Sequence, residues 1–363
     1  MRQLNVWVML GIWAGLSLGA ALYAAWEGYQ GRAFAATVAT FSILLLVMLT
    51  FAAQGVAEGL AGKFGPAGGF LLGALVFVTF VIYLVGTGTF AAQGVAEGLA
   101  GKFGPAGGFL LGALVFVTFV IYLVGTGTFA VERAVVMAAF VFVPLGLAVS
   151  SRGAAAGSWQ DFLTVAGVWA FVKFGPTHWM WPYPGGRLAY VFTVLMAVDV
   201  ALACFLLVRR TKGVGYSMGW GKNWGLYVLG SFALFGCVAI PLGIRMRFIA
   251  FDPHWGNWSG VLIGSLGILF LTAWPEELLF RGLLQNFLGR ASKSEFAGWW
   301  TASMLFGLSH ITNLGFPNWR YVILAAIAGL FYGWTWRRTG SIFASALVHA
   351  GVDVTWHFLF RTM

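Results

Sequence analysis

Charge is scarce in this chain. Asp, Glu, Lys and Arg make up 9% of its 363 residues, against roughly 25% in soluble domains, which excludes an ordinary water-soluble globular protein. Cysteine is scarcer still. Cys204 and Cys237 are the only two, and both fall inside apolar runs, so neither a disulfide framework nor a Cys/His structural metal cluster is expected. Acidic residues are few, 11 against 21 Lys and Arg, for a net charge of +10. In a soluble protein that excess would suggest nucleic acid. Here the basic residues are scattered through short loops, as they are when loop charge sets membrane orientation, and nucleic acid is not an expected partner. What is abundant is apolar: 60% of the chain is hydrophobic, and runs near the roughly 20 residues of a membrane span recur throughout. The expected fold is an all-α, polytopic transmembrane helical bundle of about 10–11 spans, with the lipid bilayer as solvent.

The expected spans are 5–26, 35–53, 69–89, 108–130, 135–150, 188–208, 224–244, 260–288, 296–312, 320–336 and 341–360. The run from Val6 to Ala25 exceeds the 7–15 residues of a signal-peptide core and is followed by further spans, so it reads as a retained helix. A shorter apolar stretch, Trp159 to Phe174, is expected to lie along the interface or to re-enter. The segment His178 to Tyr183 reads as an interfacial aromatic belt. Residues 51–89 recur unchanged as 90–128. Such identity marks a recent tandem duplication, or an error in assembling the sequence, rather than an old repeat fold. The glycines of the repeat lack a phosphate-binding pattern and are expected to serve close helix packing. The chain divides into an N-terminal transmembrane region, 1–250, that contains the repeat, and a region 251–363 that carries the chemistry.

Arg209, Arg210, Lys212 and Lys222 form the most basic loop, which the positive-inside rule places in the cytoplasm. Alternation puts Arg290 with Lys293, and Arg337 with Arg338, on the same side, and an eleven-span count gives an inside N-terminus.

Against this background Glu276, Glu277 and Arg281 stand out. A charge at the centre of a membrane helix costs about 2.5–3.5 kcal/mol by insertion scales and usually marks a site. Neighbouring helical residues point about 100° apart, so the two glutamates face different ways, whereas Glu277 and Arg281 are i,i+4 and suit a structural ion pair. Glu276 is left for chemistry. The following spans add His310, then His349 and Asp353 on one helix face. At a rise of about 1.5 Å per residue from the cytoplasmic turns, Glu276 lies about 24 Å deep, His310 about 27 Å, and His349 and Asp353 about 15 and 21 Å. The four groups can therefore share one layer. Glu276 and His310 would activate a water, and His349 with Asp353 would face the substrate carbonyl and its developing oxyanion.

The segment Trp274-Pro275-Glu276-Glu277-Leu278-Leu279-Phe280-Arg281-Gly282 resembles the EExxxR motif of the CPBP family, the CAAX protease and bacteriocin-processing (Abi) membrane enzymes. Phe306 to His310 resembles that family's FxxxH motif, and His349 to Asp353 its HxxxN or HxxxD motif, in the same order. The resemblance covers about residues 260–360. It implies an all-helical intramembrane endopeptidase of the type II CAAX prenyl protease kind, in a bacterial plasma membrane, acting on peptide or membrane-protein substrates. It further implies that Glu276 and His310 activate water, that Glu277 and Arg281 support the site, and that His349 and residue 353 bind the oxyanion. Asp353 stands where the pattern commonly has Asn, and an aspartate donates a hydrogen bond only when protonated. It is expected to stay neutral by burial, to orient His349, or to ligate a metal.

The leading reading requires no cofactor. One alternative is metal-dependent hydrolysis with His310, His349 and carboxylates as ligands to a divalent ion such as zinc; another is a noncatalytic transporter or membrane scaffold. His357 extends the His349–Asp353 stripe and is read as an interfacial residue. Asp199 is expected to be packed inward and hydrogen-bonded, and Asp252 and His254 to be solvated in a loop.

Overall fold

The computed structural model describes residues 6–52, 105–253 and 258–363. All but the first two residues of the first repeat copy, the expected span 69–89, and His254 lie outside the described residues.

Apolar composition over about 20 residues dictates helices whose backbone groups are satisfied internally. These are α1 (Val6–Trp26), α2 (Gly31–Ala52), α3 (Pro105–Gly125), α4 (Val131–Ser150), α5 (Trp159–Phe174), α6 (Ala189–Leu202, continued as a π-helical stretch, Ala203–Val208) and α7 (Trp224–Arg245). The C-terminal half adds α8 (258–291), α9 (Glu295–Leu308), α10 (Trp319–Thr339) and α11 (Ile342–Leu359). Eight helices among the described residues are long and apolar enough to cross a membrane, and the protein is an integral, multi-pass, all-α membrane protein. α9 and α10 are not among the eight. At 14 residues, α9 rises about 21 Å, short of the roughly 30 Å hydrocarbon core.

Local signals set the ends of the later helices. Ser294, Asn318 and Ser341 each accept a backbone N–H three residues on, satisfying donors that a helix start leaves orphaned. Gly340 ends α10 in the left-handed region (φ 66°), where a side chain would be strained.

The bundle is close-packed through small residues. A Cβ on Gly307 of α9 would sit 2.6 Å from the Val322 carbonyl oxygen of α10, and one on Gly298 2.5 Å from the Gly289 nitrogen of α8. Within the second repeat copy, a Cβ on Gly108 would meet Val208, and one on Gly112 would lie 2.5 Å from Leu145. Packing is thus what these glycines serve, as small residues do between membrane helices.

The largest apolar cluster joins both halves of the chain: Phe205 and Tyr216 pack in it with Trp274, Leu278 and Phe287. A second cluster, with Phe235, Phe280, Phe306, Tyr332 and Val348, lies beneath the C-terminal helices.

Four features differ from the sequence expectation. Trp181 is no interfacial belt residue: it is fully buried, packs edge-on against Phe119 at 4.9 Å, and donates to Thr193 Oγ1 at 3.0 Å. Among its neighbours, Trp179 is 41% exposed. Asp199 is buried as expected, but neither carboxyl oxygen has a hydrogen-bond partner among the described residues. A short antiparallel pair, β1 (Ile249–Phe251) with β2 (Phe360–Thr362), staples the start of the C-terminal region to its last helix. Beside it, Asp252 approaches Arg361 at 3.7 Å.

The fourth concerns Arg209, expected as a loop charge. Its side chain is 4% exposed and clamps Asp161 with Nε and Nη2, each at 2.8 Å. The backbone N–H groups of Gly157 and Ser158 donate to the same carboxylate. Burial alone would push the Asp161 carboxyl up, but Arg209 and these donors outweigh it and hold the group below the usual carboxylate range. The clasp pins the start of α5 to the end of α6.

Candidate active site

α8 is not a regular helix. It runs as Trp258–Ile268, a π-helical stretch Leu269–Ala273, one α turn Trp274–Glu277, a second π stretch Leu278–Gln285, and Asn286–Ala291. Pro275 lies in the turn between the two wide stretches. Lacking an N–H, it removes a ladder bond, and wide turns accommodate such interruptions where a helix carries a site.

That turn presents the two glutamates in opposite senses. Glu277 is inaccessible to solvent. Ser345 Oγ donates to its Oε2 at 2.5 Å, His349 Nδ1 lies 3.0 Å from its Oε1, and Arg281 Nε lies 3.3 Å from Oε2. The arginine contact is one of charge rather than an aligned hydrogen bond, because Arg281 Nε and Nη1 lack hydrogen-bond partners among the described residues. Aromatic faces offset some of that desolvation: the guanidinium lies 4.5 Å from the Phe306 ring centre, 5.5 Å from Tyr332 and 5.8 Å from Phe280.

Glu276 keeps 28% of its side chain exposed. It lines a cavity of about 350 Å³ together with Ser309, His310 and Asn313 from the turn after α9, and with residues of α5 and α6. The spans thus bring Glu276 and His310 to one space. His310 Nδ1 lies 2.8 Å from the Phe306 carbonyl oxygen. A carbonyl only accepts, so in that contact Nδ1 carries the proton and Nε2 of the neutral ring is an acceptor.

His349 is buried between the glutamates. Its Nε2 lies 3.9 Å from Glu276 Oε2 and 3.5 Å from Asp353 Oδ2, and its ring stacks on Tyr332 at 4.5 Å. His349 lies beside Glu276, and Asp353 beside His349, but neither is among the residues lining the cavity. His357 is exposed and does not join them. Among the described residues no group of three or more His, Cys, Asp and Glu side chains is arranged to hold a metal ion.

Two participants, Ser345 and Lys173, carried no sequence signal of their own. Ser345 lies four residues before His349, and extending the His349–Asp353 stripe by one step would have reached it. Phe306, by itself an unremarkable packing residue, touches Arg281, His310 and His349. Lys173, on α5, lines the cavity from outside the motif-bearing helices.

Residues 257–355 match the family model described as "Type II CAAX prenyl endopeptidase Rce1-like". This stretch is therefore similar to the CPBP-type, Rce1-like family, in agreement with its three motifs. The chain is also similar to "Uncharacterized protein YpbD" of Bacillus subtilis (strain 168), 33% identical over 89 residues, which is 24% of this chain and 41% of that protein. The chain thus spans well under half the length of that curated relative. No solved structure matches.

Proposed function

We propose that the protein is an intramembrane endopeptidase that hydrolyses peptide bonds of membrane-associated or prenylated CAAX-type substrates. One observation carries this reading: Glu276 and His310, distant in sequence, line one cavity, while the adjacent Glu277 is fully engaged and cannot turn toward it. In this mechanism Glu276 takes a proton from a water whose other O–H donates to His310 Nε2. The water oxygen bonds to the substrate carbonyl carbon, and its π electrons move onto the carbonyl oxygen. Collapse of this intermediate breaks the C–N bond as Glu276 returns the proton to the leaving amine.

Glu277 holds His349 through Nδ1, and Asp353 lies against the opposite nitrogen. That contact supports an orienting role for Asp353. With Nδ1–H held by Glu277, only the imidazolium form of His349 also carries a proton on Nε2, and in that form the Nε2–H turns from Asp353 to the oxyanion as its proposed donor. Arg281 gives Glu277 its counter-charge and takes no part in proton transfer.

The test is a comparison of peptide termini in membranes of cells carrying wild-type or Glu276→Gln protein. New termini that appear only with the wild type support proteolysis. Identical termini in both would sink it and favour a transporter or scaffold. Exhaustive chelation of the purified enzyme separates the metal route: cleavage persists in the mechanism above, whereas loss that zinc restores would contradict it.

A further inference from the structure

Two groups of opposite charge line the cavity. Among the described residues Glu276 is its one carboxylate and Lys173 its one Lys or Arg, between walls that are mostly apolar. Lys173 lies on α5, outside residues 257–355. Among the described residues its ammonium makes no ion pair with a carboxylate within 4 Å. Its hydrogen bond goes instead to the neutral Asn313 Oδ1, at 2.6 Å. A half-buried ammonium beside Val168, Trp169 and Val172 loses hydration that a single amide oxygen does not replace. The clasp between Asp161 and Arg209 holds the same helix in position. The lysine is thus carried on a fixed wall, lining the cavity with Glu276, and no carboxylate of the described residues lies within 4 Å of it.

We infer that Lys173 is the group that receives the C-terminal carboxylate of such a CAAX-type substrate. The inference rests on the endopeptidase reading above. A volume of about 350 Å³ is at the small end of ligand pockets and suits a short chain end rather than a segment passing through. Lys173 acts here as a specificity-determining residue: it binds an end of the substrate that does not react.

The competing role is electrostatic. Lys173 and Glu276 line the same cavity, and an ammonium there would tune the base whatever the substrate. Two farnesylated CAAX-type peptides separate these roles, one ending in a free carboxylate and the other in the amide. Both are presented to the purified full-length protein in detergent. Cleavage gives kcat and KM, and equilibrium dialysis against the Glu276→Gln protein gives affinity without turnover.

Because a charge-assisted hydrogen bond is lost when the acid becomes an amide, the wild type should favour the acid about tenfold or more in KM and in binding. Lys173→Met should remove that preference with kcat little changed, and Lys173→Arg should keep it. Equal handling of acid and amide by the wild type, a comparison that needs no variant to fold, overturns the inference and leaves the protease reading standing. An equal fall in kcat for both peptides in Lys173→Met, with a displaced pH profile, also overturns it and assigns Lys173 to Glu276. If neither peptide binds nor is cleaved, the endopeptidase reading fails and the inference fails with it.

Discussion

Replacing either of two adjacent glutamates by glutamine changes one oxygen to an amide, yet the structure predicts opposite consequences. Glu277→Gln leaves Arg281 wholly buried without its counter-charge and disturbs the contacts to Ser345 and His349. Removing one member of a buried pair costs about 3–5 kcal/mol. The Phe306 and Tyr332 faces around the guanidinium retain part of the interaction, so a value near the lower end, about 3 kcal/mol, is expected. Glu276 is different. Its nearest charged partner, His349 Nε2, is 3.9 Å away and its side chain is partly exposed, so Glu276→Gln should cost less than about 1 kcal/mol. Unfolding of the purified proteins in mixed micelles measures both. The double variant Glu277→Gln/Arg281→Met should recover part of the loss, because it removes the stranded charge. Equal costs for the two glutamate variants, or a cost below about 1 kcal/mol for Arg281→Met, would refute the division of labour between them.

Gly307→Ala should destabilise by about 1–3 kcal/mol, because the added carbon meets the α10 backbone. Gly230→Ala, where nothing lies within 4 Å, should be neutral or slightly stabilising in the same unfolding assay. Asp161→Asn should destabilise the protein at neutral pH. The native Asp161 carboxyl titrates below its unfolded value, so its contribution is fully present above the unfolded value, near pH 4, and is lost as pH falls through the native one. Stability measured against pH should therefore show an acid limb in the wild type that is reduced in the variant; identical limbs would contradict the clasp.

Much of the fold was legible because the bilayer imposes a simple rule. Runs of about 20 apolar residues became helices within a few residues of the expected ends, as in α7 and α11. The rule fails where burial by protein replaces burial by lipid. Trp181 has the composition of an interfacial residue, but Phe119, Tyr122 and Phe192 enclose it. It also says nothing of β2, whose pairing with β1 joins residues more than a hundred positions apart. At the site, the i,i+4 relation foretold the contact between Glu277 and Arg281 and that between His349 and Asp353. The placing of His349 between both glutamates depends on how α11 docks on the irregular part of α8. No spacing within either helix encodes that docking. Lys173 was hidden for the same reason: its chemistry comes from the tertiary wall it completes, not from its neighbours in sequence.

The account rests on Glu276 acting as the base beside His310. The most direct measurement is the cleavage rate of a farnesylated CAAX-type peptide by purified wild-type and Glu276→Gln proteins, compared at equal folded fraction. Removal of a general base predicts a fall of about 10²–10⁴-fold in kcat with the fold intact. An unchanged rate in the folded variant would contradict the account.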